Sequence, residues 1–228
     1  MEDRLPLYED MTRLIFIRHG QSVANAEDKF AGQTNVDLTE KGYAQAECAA
    51  KYLTAHEKID KIYSSDLIRA HNTALPTAKL LGLDIIDTKG LREICAGKWE
   101  GMRVSEITQK YEQEFYVWSN DFANAQCPGG ESVKDVYYRI VDEVKKIARK
   151  NDGLNLLLAT HATPIRVVKC YSQGFDWDGM TKIHFVKNAS INIFEYDPES
   201  EKITLIAQDI VDHLDPKMVT LVPKGLEN

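Results

Sequence analysis

The chain has 228 residues, of which 43% are hydrophobic and 28% charged, enough for one domain with a sizeable core. No apolar run is long enough to span a bilayer. A formal net charge of -7 argues against broad contact with nucleic acid or anionic lipid, which needs a basic face, but leaves room for a small anion held in one pocket.

The N-terminal stretch "MEDRLPLYEDMTR" lacks the basic start and apolar centre of a secretory signal, which points to the cytoplasm. Four cysteines, Cys48, Cys95, Cys127 and Cys170, are scattered without a CxxC pair. That pattern fits reduced, buried packing residues better than a disulfide framework or a zinc site.

In chain order, "LIFI" (Leu14 to Ile17) reads as a strand buried on both faces. A helix follows in "LTEKGYAQAECAAKYLTAHEK", with Thr39 as N-cap and Ala44, Cys48, Ala49, Tyr52 and Leu53 on its inner face. A second strand is expected at Lys61 to Tyr63, a helix from Asp66 to Leu81 kinked at Pro76, and a strand around Leu83 to Asp87. Val133, Val136, Tyr137, Ile140, Val144 and Ile147 recur at spacings of three and four and give the strongest helix signal. "NLLLATH" then reads as a buried strand, followed by a helix with Thr163 as N-cap, Pro164 at its first position and Gly174 as terminator. "INIFEYDPESEKITLIAQD" places two alternating runs around an Asp-Pro-Glu-Ser turn, an antiparallel hairpin. Strands alternating with helices imply an α/β sandwich with a mostly parallel sheet.

In open parallel sheets, ligands bind beyond the C-terminal strand ends. Arg18 and His19 follow the first strand; Ser64 and Ser65 follow the second, with Arg69 in the next helix turn; His161 follows the strand of "NLLLATH". The loop "LREICAGKWEG" adds Glu93. Taken singly, each is an ordinary surface or loop residue. Together, two cations and two imidazoles facing one another would repel without an anion between them.

A phosphoryl group accounts for the set. Guanidinium groups bind its oxygens through paired charge-assisted hydrogen bonds, and Gly20 allows close approach. His19 is the candidate nucleophile, forming a phosphohistidine. His161 would bind the equatorial oxygens in the transition state, and Glu93 would protonate the leaving oxygen.

"LIFIRHGQSVAN", "DLTEKG", "IYSSDLIRAHNTA", "LREICAGKWEG", "PGGES" and "ATHATPIRVV" stand in an order and spacing that resembles the histidine phosphatase superfamily, also called the phosphoglycerate mutase-like family. The resemblance runs from about Arg13 to Leu214. It implies a three-layer α/β/α sandwich with helices on both faces of the sheet, residues 1–228 forming a single domain, a phosphohistidine intermediate, and neither metal nor cofactor. By position it makes His19 the nucleophile, Arg18, Arg69 and His161 the phosphate pocket, Glu93 the proton donor and Asn25 an accessory phosphate contact.

"LREICAGKWEG" looks like the phosphatase version around the acid, since mutases carry an Arg-His-Tyr-Gly run there. The expected reaction is hydrolysis of a small phosphomonoester, releasing inorganic phosphate. A mutase-type phosphotransferase and a non-catalytic phospholigand-binding protein are the alternatives. Two departures stand out. Ala31 precedes Gly32 where many relatives have glutamine, and Ala162 and Thr163 replace glycines, with the Ala162 methyl expected to narrow the pocket floor.

Residues 105–130 correspond to a helical cap in relatives, here rich in rings (Tyr111, Phe115, Tyr116, Trp118, Phe122) and acidic at Glu112, Glu114 and Asp121. With no Lys or Arg cluster in this segment for a second phosphate, a monophosphate with a modest or partly apolar leaving group is expected. The sequence assigns no oligomeric state. It gives no role to the N-terminal dozen residues or to "VPKGLEN", which are expected to be mobile.

Overall fold

The computed structural model describes residues 11–220, so most of both end segments, and the expectation of mobility there, lie outside the described residues. The chain forms β1 (Thr12–Arg18), α1 (Val23–Ala26), α2 (Glu40–His56), β2 (Lys61–Ser65), α3 (Ile68–Leu81) and β3 (Ile85–Thr88). After these come α4 (Val104–Lys110), α5 (Glu112–Asn120), α6 (Val133–Lys150), β4 (Asn155–Thr160), α7 (Ala162–Ser172), β5 (Ile191–Tyr196) and β6 (Ile203–Ile210). The strands make one sheet in the order β3-β2-β4-β1-β5-β6. β1, β2, β3 and β4 run parallel, and β5 and β6 close the far edge as the expected antiparallel hairpin.

Alternation along the central strands divides the core. Leu14, Phe16, Leu156, Leu158 and Phe194 face α6 and α7, meeting Val136, Ile140, Val144 and Ile165. Ile15, Ile17, Ile62, Leu157 and Ala159 face α2 and α3, meeting Ala49, Leu53, Ala74 and Ala78. Both faces of the sheet are thus covered, which is why β1 and β4 read as unbroken apolar runs. Burying each such large side chain contributes about 1.5–3 kcal/mol.

Several elements depart from their expected bounds. β2 extends through Ser64 and Ser65, because these pair with Asp87 and Thr88 of β3. β3 itself begins at Ile85 rather than Leu83. α3 begins at Ile68, since Asp66 is held outside it by Arg92, and it runs on through Pro76. On α2 the inner face is Gly42, Gln45, Ala46, Ala49, Ala50 and Leu53, whereas Ala44 is exposed and Cys48 and Tyr52 only partly buried. The cause is the tight seat of the helix: a Cβ on Gly42 would lie 2.1 Å from the Gln21 carbonyl oxygen, and one on Gly20 would lie 2.4 Å from that of Gly42. Gly20 therefore serves helix packing, not the approach of a ligand. Among the cysteines, Cys127 and Cys170 are buried, while Cys48 and Cys95 are only partly so; all four are free thiols.

The start of α7 also moves. Its N-cap is His161, in extended backbone, so Thr163 and Pro164 fall at the second and third helical positions. Proline is tolerated there because the first-turn N–H groups have no partner within the helix. The helix ends at Ser172, and Gly174 turns the chain at φ +78°. Among the described residues, no helix is long and apolar enough to cross a membrane.

Candidate active site

The sheet register alone brings the two histidines together. Arg18 stands opposite Thr160 in the β1–β4 pair, so the next residue on each strand, His19 and His161, leaves the sheet at the same edge. Their ring centroids lie 5.1 Å apart, edge to face at 62°. β2, on the other side of β4, ends at Ser65, whose Oγ is 2.8 Å from His161 Nε2.

Hydrogen bonds settle which ring nitrogens are free. His19 Nδ1 lies 2.7 Å from the Gly20 carbonyl oxygen; a carbonyl only accepts, so Nδ1 carries the proton and Nε2 keeps its lone pair. Ser65 Oγ also accepts from the Leu67 N–H, and its contact with His161 Nε2 leaves Nδ1 as the ring nitrogen that is buried without a partner. Burial, followed by the charges of Arg69 and Arg18, holds His19 well below the ordinary imidazole range. Burial, Arg69, His19 and Arg18 do the same to His161. Both rings are neutral at pH 7.

The arginines are fixed at one edge and open at the other. Arg18 Nη1 donates to the Val186 carbonyl, and Arg69 donates from Nη1 to Thr34 O (2.8 Å) and from Nη2 to Gly32 O (2.7 Å). Their Nε atoms are buried with no acceptor. Burial brings each down to about 10, against the opposing charge of Glu93. Both remain charged at neutral pH, and among the described residues neither forms a salt bridge, Glu93 being the carboxylate whose charge acts on them. Buried charge without a direct ion-pair partner is costly, and an anion in the cavity would relieve that cost.

Glu93 reaches the same space from the loop after β3. Its Oε1 accepts from Ile94 N (2.9 Å), and its Oε2 from the first-turn N–H of Thr163 (3.4 Å). Arg139 holds this loop through the carbonyls of Gly90, Arg92 and Glu93, while pairing with Glu131 at 2.8 and 2.9 Å. Glu131 in turn accepts from Cys95 N at 2.7 Å. Asn25 Oδ1 caps Ser22 and accepts from Asn188 Nδ2, which also donates to the carbonyls of His19 and Gly20.

A cavity of about 100 Å³ is lined by Arg18, His19, Asn25, Arg69 and Glu93. Five of the six residues expected from the sequence thus meet around one space. The sixth, His161, is fully buried against His19 and is not part of the lining. Ala31, Ala162 and Thr163 line the cavity as well. Of the rings expected over it, Trp118 and Phe122 reach it; Tyr116 is 67% exposed and takes no part. Phe30, Arg166 and Phe185 complete the wall. Sequence reading gave no role to Asn188, Arg139, Glu131 or Arg166. Glu131 stood within the "PGGES" motif and Arg166 within "ATPIRVV"; Asn188 carried no local signal. Among the described residues no group of three or more His, Cys, Asp or Glu is arranged to hold a metal ion.

The model of the histidine phosphatase superfamily (branch 1) matches residues 14–209. The chain belongs to that superfamily. Phosphoserine phosphatase 1 of Hydrogenobacter thermophilus is 33% identical over 166 residues, covering 73% of this chain and 78% of the relative. A metal-independent phosphoserine phosphatase of Arabidopsis thaliana is 31% identical over 161 residues, covering 70% and 68%. Among solved structures, a mycobacterial glucosyl-3-phosphoglycerate phosphatase in complex with VO3 superposes with a TM-score of 0.78 at 27% identity, covering 86% of this chain and 98% of that one. The protein is a histidine phosphatase enzyme, acting on phosphomonoesters.

The neutral histidines of this phosphatase couple its stability to pH. Unfolded, His19 and His161 titrate near about 6.5, whereas folded they resist protonation. Stability is therefore fully present above about pH 6.5 and falls below it, as the unfolded chain takes up protons that the folded one refuses. Each histidine adds a slope approaching about 1.4 kcal/mol per pH unit. His213, also lowered by burial, acts in the same direction. Urea unfolding at pH 7.5 and 5.5 is expected to show a clear loss of midpoint at the lower pH; an unchanged midpoint would contradict neutral buried rings.

Proposed function

We propose that hydrolysis runs through a phosphohistidine on His19, with Arg18, Arg69, His161 and Asn25 holding the phosphoryl group and Glu93 moving the proton. The observation that carries this reading is the tautomer of His19. Its proton is committed to Gly20 O, which leaves a neutral Nε2 lone pair at a cavity where buried guanidinium donors lack acceptors.

In the first step Nε2 attacks phosphorus, the N–P bond forms, the P–O bond to the alcohol breaks, and the leaving oxygen takes a proton from Glu93. Two backbone N–H groups then meet the resulting carboxylate. In the second step Glu93 takes a proton from water, the water oxygen bonds to phosphorus, and the N–P bond breaks. Asn25 offers its amide nitrogen, since its Oδ1 is occupied. His161 is assigned to an equatorial oxygen through Nδ1, the ring nitrogen left without a partner beside His19, as charge shifts onto that oxygen.

Residues 105–130 act as the cap of a single domain, with Trp118 and Phe122 limiting water access to the cavity,. A soluble, cytoplasmic enzyme acting on a small phosphorylated metabolite and releasing inorganic phosphate fits these features.

Orthovanadate, which adopts the trigonal geometry of the transferred group, tests the pocket. At about 100 times its Kd it is expected to add about 2.7 kcal/mol and to raise Tm by about 5–10 °C. Arg69→Ala should abolish the shift. A rise that survives this change would place the anion elsewhere. EDTA in excess is expected to leave both the shift and phosphate release unaltered.

A further inference from the structure

Besides Arg18 and Arg69, the cavity wall holds a third buried arginine, to which the steps above give no task. Arg166 is 3% exposed. Its Nε donates to Ile183 O (2.9 Å) and its Nη2 to Met180 O (3.3 Å), while the guanidinium lies 3.9 Å over the Phe122 ring. Among the described residues it has no carboxylate ion pair, and its Nη1 makes no hydrogen bond. Arg69 and Arg18 are the charges that act on His19; Arg166 sits instead against the ring of Phe122. It is a charge held by backbone carbonyls, with one nitrogen uncommitted, in the wall of the substrate cavity.

Resting on the phosphatase reading above, we infer that Arg166 is the specificity-determining residue of this site, receiving through Nη1 a carboxylate on the leaving group. The preferred substrates are accordingly phosphomonoesters of hydroxy acids. Two features choose a carboxylate over a second phosphate. Arg166 brings a single positive charge without an ion-pair partner, which suits a singly charged carboxylate, whereas a phosphate dianion calls for several charged donors. The other cation of the wall, Lys29, is already paired with Glu27 at 2.6 Å. Phe30, Trp118, Phe122 and Phe185 surround it with apolar surface, where a paired charge is strengthened and an unpaired one penalised. Glu93, the carboxylate of the same cavity, has both oxygens occupied by N–H donors, so it does not fill this place.

The test compares 3-phosphoglycerate with glycerol 3-phosphate, which differ only in carboxylate against hydroxymethyl. The intact enzyme is expected to favour the carboxylate by about 10- to 100-fold in kcat/KM, carried by KM, the range of a hydrogen bond to a charged group. Arg166→Met should bring that ratio near one, and Arg166→Lys, which keeps the charge without the planar group, should lower it less. An intact enzyme without preference, or an Arg166→Met variant that slows both substrates alike and keeps the ratio, would overturn the inference and leave Arg166 a tie between α7 and Phe122. Should no substrate, aryl phosphate included, release phosphate, the hydrolytic reading fails by itself. Calorimetric Kd values for the same two ligands then decide the subsite: tighter carboxylate binding that Arg166→Met removes supports it, and equal Kd values overturn it.

Discussion

Replacing His19 with alanine is expected to lower phosphate release from p-nitrophenyl phosphate by about 10,000-fold or more, because its Nε2 is the imidazole lone pair presented to the cavity. Nucleophile deletions remove the two-step path altogether and typically cost this much. The neighbouring ring cannot substitute: His161 is fully buried, stands outside the cavity lining and has its Nε2 engaged by Ser65. The intact enzyme quenched during turnover of 32P-labelled substrate should carry an acid-labile, base-stable phosphoryl group, absent from His19→Ala. A variant retaining more than about a tenth of the rate would remove His19 from the nucleophile's role.

Glu93→Gln should separate the two proton transfers. An alkyl phosphate cannot expel its oxygen without a proton, so its turnover is expected to fall by about 100- to 10,000-fold. The nitrophenolate of p-nitrophenyl phosphate leaves as an anion without help. That substrate should give a rapid burst of about one nitrophenolate per protein molecule, followed by slow turnover, since water must attack the phosphohistidine without a base. Stopped-flow absorbance reads both phases. Equal, small losses on the two substrates, with no burst, would take Glu93 out of proton transfer. Its position depends on the Arg139–Glu131 pair, which grips three carbonyls of the Glu93 loop; loosening that pair should resemble a weaker Glu93→Gln.

Electrostatics and chemistry converge in this pocket. Burial, reinforced by the charges of Arg69 and Arg18, keeps both imidazoles neutral. A neutral imidazole is the reactive form, so the burial that makes these charges costly also keeps the nucleophile ready. The incoming phosphoryl dianion relieves the cost, and binding is coupled to that relief.

What the sequence determined by itself was the succession of elements and the principal reacting groups. Apolar runs, the Thr39 cap and the spacing from Val133 to Ile147 are local signals, set by periodicity and backbone chemistry over a few residues. Arg18, His19 and His161 were legible because each follows a strand, and Arg69 because it opens the helix after one, where a parallel sheet places its ligands; Glu93 was read from its loop and from the family resemblance. Tertiary structure decided the rest. The pairing of β1 with β4 sets His19 beside His161, and Ser65, 96 residues away in sequence, fixes which nitrogen of His161 is free. Asn188 holds the His19 carbonyl across 169 residues, and Arg166 becomes a cavity wall only when Phe122, Met180 and Ile183 close over it. The inner face of α2 was misread because contact with the Gln21 backbone selected glycine and alanine over larger apolar residues. Tautomers, orphaned donors and close backbone contacts depend on chain segments far apart in sequence, and their geometry exists only once the sheet register has brought those segments together.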